Sequence, residues 1–96
     1  MSRSDEAYEN LANAIISLAV DDYRRSYMTI EKALATKKRL TTRQQKKVEE
    51  AEIMISSCER FFCSQWFGNL TSLSGMYLLK KLQNERNDYA KRIFKE

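Results

Sequence analysis

Apolar residues recur at three- and four-residue steps through most of this chain, the period of a helix that buries one stripe and wets the other. Tyr8, Leu11, Ala12, Ile15, Ile16, Ala19, Tyr23, Tyr27, Ile30 and Leu34 form the first such series. Ser4 predicts its N-cap, with Asp5 and Glu6 in a first turn where the helix dipole favours negative charge. Nothing breaks the pattern before about Thr36, so the helix is on the order of 45 Å long at about 1.5 Å per residue. Its middle, AIISLAV, is apolar almost all round. That segment needs cover on more than one side, from other helices or from a second copy of the chain.

A second series, Val48, Ala51, Ile55, Cys58, Phe61 and Phe62, predicts a helix that starts at Thr41 or Thr42, with Thr42 and Gln45 spaced as a capping box. A connection of about five residues makes the two helices an antiparallel hairpin. Gly68-Asn69 reads as a break, so Gln65-Trp66-Phe67 either finishes helix two or forms a short turn of its own. Ser74 then caps a last helix from Gly75 to Phe94, with Leu78, Leu79, Leu82, Tyr89 and Ile93 facing inward. The expected architecture is all-α: an antiparallel helical hairpin, a short helical corner and a third long helix. Residues 1–96 make one domain, a three- to four-helix bundle. Ile15, Leu18, Ile55, Phe61, Phe62, Trp66, Leu79 and Leu82 are the expected core, and Phe67 is the candidate for an exposed anchor.

Composition agrees with that pattern, since there is no proline and there are only two glycines to interrupt a helix. No apolar run approaches the roughly 18 residues needed to cross a bilayer, so no membrane partner is expected. The acidic, polar start of the sequence does not read as a secretory signal. With no histidine, no phosphate-binding glycine loop and no nucleophile elbow, neither catalysis nor a cofactor is expected. Cys58 and Cys63 lie five apart, about 140° around a helix, so they cannot bridge, and no metal site suggests itself.

Charge is unevenly placed. Lys32, Lys37, Lys38, Arg39, Arg43, Lys46 and Lys47 lie between residues 32 and 48 with no acidic residue among them. The predicted molecule is a dipolar rod with a basic hairpin tip, a footprint for phosphate backbones or for an acidic protein face. Lys80 and Lys81 on the last helix are further candidates for phosphate contact. Asp22, following the apolar middle of helix one, is expected at the core edge as a structural polar residue, paired with Arg25 or with Arg60 across the hairpin.

Two segments, LANAIISLAVDDYRRS and SCERFFCSQWFGNLTSLSGMYLLKKL, carry a resemblance. Asp22-Tyr23-Arg24, Glu59-Arg60-Phe61-Phe62, Ser64, Trp66-Phe67 and Gly75 follow an ERFFxSxWF…GxYLLxKL pattern. The chain thereby resembles small uncharacterised all-helical proteins encoded by bacteriophages, prophages and conjugative elements of Gram-positive bacteria. Where those proteins tend to carry acidic residues, this chain has Gln65, Ser72 and Ser74. The resemblance implies a mobile-element origin and the cytoplasm of a bacterial host. For so small a chain it favours an interaction protein that inhibits a host defence component, such as a CRISPR nuclease, by steric occlusion. The alternatives are an accessory protein that binds nucleic acid through the basic tip, or an oligomeric sponge for a nucleotide signal. A homodimer fits the all-round apolar segment of helix one.

Overall fold

Thirty-three residues without a glycine or proline leave nothing to stop the first helix, and α1 runs from Arg3 to Ala35. The computed structural model describes residues 3–36 and 38–94, with side chains from residue 6 onward. After α1 come α2 (Thr42–Phe62), α3 (Gln65–Leu70) and α4 (Gly75–Phe94), and no strand occurs among the described residues. The fold is the all-α hairpin, corner and third helix that the periodicity predicts. Because α1 begins at Arg3, Ser4 falls inside the helix and not ahead of it.

The hairpin closes one residue earlier than Thr42 and Gln45 suggest. Thr41 is the N-cap of α2: its Oγ1 accepts from the Gln44 N–H at 3.2 Å, and the Gln44 side chain accepts from the Thr41 N–H at 2.8 Å. The Thr-Thr and Gln-Gln doublets satisfy the capping-box spacing in either register. Ala51, Ile55, Cys58 and Phe62 bury the inner face of α2 against Ile16, Tyr23, Tyr27 and Ile30 of α1.

At the corner, α2 stops at Phe62 and Ser64 begins a new helix. Its Oγ donates to the Phe61 carbonyl at 2.6 Å and accepts from the Phe67 N–H at 3.2 Å. The predicted break at Gly68-Asn69 is not a break, since both residues lie within α3. Phe62 and Phe67 are buried here with ring centroids 5.8 Å apart. Gly75 then starts α4 hard against this junction: a Cβ there would lie 1.8 Å from the Phe62 carbonyl oxygen. Ser74 caps α4 as predicted, its Oγ accepting from the Tyr77 N–H at 3.1 Å.

From that start α4 runs alongside α1 in the same direction. Its Leu79 and Leu82 are buried, and Glu85, Arg86 and Tyr89 meet Arg24, Glu31 and Tyr27 further along. Arg86 donates to the buried Glu31 carboxylate at 2.8 Å. The whole is a rod of 56 × 25 × 20 Å. Its radius of gyration, 16.2 Å, exceeds the roughly 12.5 Å of a compact chain of this length.

Candidate functional site

The sides of α1 are covered unequally. At about 100° per residue, Leu11, Ile15, Leu18 and Asp22 point one way and Arg24, Tyr27 and Glu31 nearly the opposite way. The second set meets α4. Ile15, Leu18 and Asp22 of the first set line a shallow groove of about 240 Å³ between α1 and α2, walled also by Ala19, Ser57, Cys58, Phe61 and Trp66. Nothing covers it. Leu18 is 59% exposed and Trp66 55% exposed, so neither is the core residue the periodicity suggests. Phe67, expected at the surface, is only 1% exposed and serves as core instead. Ile15 and Phe61 are half-buried, and Ile55, Phe62, Leu79 and Leu82 are buried as expected.

The exchange between Trp66 and Phe67 has a local cause. Continuing the α2 stripe Ala51, Ile55, Cys58, Phe62 by one more turn would bury residue 66. The stop at Cys63 and the new cap at Ser64 reset the phase, and α3 turns Phe67 inward. Trp66 is left edge-on to Phe61, centroids 5.3 Å apart and planes at 69°, at the open end of the groove.

Asp22 stands at the groove's edge. It pairs with Arg25 at 2.8 Å within α1, while Arg60, the alternative partner, is exposed on α2 and joins no ion pair among the described residues. Cys58 forms the floor, and its Sγ donates to the Ala19 carbonyl at 3.5 Å. Burial pushes its thiol pKa up, and the nearby Asp22 and Glu59 carboxylates add to the rise. Cys63 is free and exposed, with its Sγ 3.4 Å from Met76 Sδ. Among the described residues no three or more Cys, Asp or Glu side chains gather into a metal-binding group. Among the described residues no helix is long and apolar enough to cross a membrane.

The predicted tip residues Lys38, Arg39, Arg43, Lys46 and Lys47 are all exposed around the turn between α1 and α2; Lys37 lies outside the described residues. None of the three ion pairs among the described residues draws on these cations. Because α4 runs parallel to α1, it delivers Lys91 and Arg92, in its last turn, to the same end of the rod. The tip is therefore built from three elements, a grouping that needs the direction of α4 to be seen. Lys80 and Lys81 are not part of it. They sit exposed near the start of α4, with Lys81 Nζ 5.6 Å from the Tyr77 ring centroid. Leu73, Met76 and Tyr77 are exposed beside them, a second apolar patch that sequence reading did not single out.

Compared with protein-family models, the chain matches none, and neither a curated protein nor a solved structure matches it.

Proposed function

We propose that this is an interaction protein that acts by occupying a surface of another protein, with the groove between α1 and α2 as its contact site. The single observation that carries the reading is the half-exposed Trp66 beside an apolar groove that it lines together with Leu18 and Phe61. Tryptophan is among the residues enriched at binding hot spots. The partner chemistry that fits is an apolar side chain, presented by a helix or loop, that fills the space between Leu18, Phe61 and Trp66. The resemblance to mobile-element proteins supplies the target class, a host defence protein such as a CRISPR nuclease, inhibited by steric occlusion.

The test is survival of phage or plasmid in a bacterial host that carries a nuclease-based defence system. Expression of the protein is expected to protect the invading DNA. Trp66→Ala and Leu18→Asp are expected to abolish protection while leaving the helical circular-dichroism signal intact. Protection that survives both substitutions removes the groove from the reading, and no protection against any such system removes the target class.

A further inference from the structure

The basic end of the rod has no part in that groove. We infer that it is a second binding site, one that takes the phosphate backbone of double-stranded nucleic acid without reading its sequence. Three observations converge on it. First, the cations come from three separate elements: Lys32 at the end of α1, Lys38, Arg39, Arg43, Lys46 and Lys47 around the turn and the start of α2, and Lys91 and Arg92 at the end of α4. Convergence of this kind is set by the fold and is not a property of one charged helix face.

Second, the charge is misplaced for stability. A helix dipole favours carboxylates in the first turn, yet α2 has none there and carries Arg43 instead. Nor do the described ion pairs neutralise any member of the cluster. Third, the shape suits a backbone more than a groove. Two helices packed about 10 Å apart, each roughly 10–12 Å across, make a tip too broad to enter a major groove about 12 Å wide. The tip would lie across the groove and touch phosphates, which fixes position but carries no sequence information. Only one strongly exposed ring, Phe94, lies at this end among the described residues, too few for the run of stacked bases that single-strand binding uses.

The experiment is fluorescence anisotropy with a labelled 20-base-pair duplex of arbitrary sequence, titrated at several salt concentrations. The expected slope of log affinity against log salt is about −4 to −6, from some five or six phosphate contacts. Arg43→Glu with Lys46→Glu should weaken binding on the order of 10-fold or more at low salt and flatten the slope by about 2. Arg43→Glu puts acid in the first turn of α2, where the dipole favours it, and an unchanged circular-dichroism melt of the double variant separates loss of binding from unfolding. Lys80→Glu with Lys81→Glu alters net charge by the same amount away from the tip and should change affinity by less than about 3-fold. Equal losses from the two pairs, or no measurable duplex binding at low salt, overturn the site. Tighter binding of a single strand of equal length overturns the duplex assignment. Displacement of duplex by polyglutamate at matched charge concentration would make the tip an acidic-protein site instead. Trp66→Ala should leave duplex affinity unchanged, so this site and the groove can fail separately.

Discussion

α1 presents two contrasting sides built from similar residues. Towards α2 and α4 it offers Tyr23, Tyr27, Ile30 and Glu31, all buried. On the opposite side it offers Leu11, Ile15 and Leu18, joined by Phe61 and Trp66 from across the hairpin, and two of these are more than half exposed along with Trp66. Hydrophobicity does not separate the sides; cover does. Apolar surface removed from water contributes roughly 25 cal/mol per Å², so the sealed side holds the fold together while the open side leaves that contribution unrealised. Adjacent aromatics make the contrast sharpest. Phe67 is buried in the core, and Trp66 beside it is more than half exposed.

The largest expected effect tests that pair directly. Phe67→Ala should cost about 3–5 kcal/mol in denaturant unfolding, and Trp66→Ala less than about 1 kcal/mol. Equal costs would erase the distinction between the two sides. Next comes the junction that seals the α4 side. Gly75→Ala sets a methyl against the Phe62 carbonyl and should cost about 1–3 kcal/mol. A neutral result would mean that α4 shifts freely over the corner.

The ion pairs give a smaller contrast within the sealed side. Arg86→Ala leaves the Glu31 carboxylate buried without its donor and should cost about 1–3 kcal/mol. Arg24→Ala breaks a bidentate pair with Glu85 that is open to water on both sides and should cost less than about 1 kcal/mol. Double-mutant cycles would measure both.

Alkali should act on the buried phenols and on the buried Cys58 thiol. Burial raises the Tyr23 and Tyr27 phenol pKa above the usual value, chiefly by desolvation, with further carboxylate repulsion from Glu59 and Glu85 respectively. A raised folded-state pKa means that the contribution is complete below the ordinary value of 10.0 and lost as pH climbs through the folded one. Melting temperature is therefore expected to hold to about pH 9, where the Cys58 thiol begins to contribute to the loss, and to fall more steeply above about pH 10; Tyr23→Phe should reduce the later part of the fall. The smallest perturbation is chemical labelling. Iodoacetamide should modify exposed Cys63 within minutes and buried Cys58 only under denaturant. One slow and one fast thiol sharpens the picture, and two fast ones would mean that the groove floor opens.

Much of this was legible in the residues. Period and caps fix the three long helices, and Ser74 and Gly75 mark the start of α4 because a serine cap needs only its own local spacing. The faces near the corner were not legible, for a physical reason. A two-residue interruption between Phe62 and Gln65 shifts the helical phase, and that shift depends on how the Ser64 hydroxyl divides itself between the Phe61 carbonyl and the Phe67 amide. Leu18 was misplaced differently. An apolar position on a long helix says that it prefers cover, and only the number of neighbouring helices says whether it receives any. The groove thus lay hidden in the sequence as two residues assigned to the core. The basic tip was visible as a run of charge, but Lys91 and Arg92 joined it only once α4 had a direction.

That direction also decides where the chain can be handled. Arg3 and Phe94, the first and last described residues of their helices, stand at opposite poles of a rod 56 Å long. A tag or fluorophore attached ahead of α1 would ride beside the aromatic corner, whereas one attached after α4 would crowd the cationic pole. Fusing the same reporter to one terminus and then to the other would therefore shield the two poles in turn, with no residue of the native chain altered.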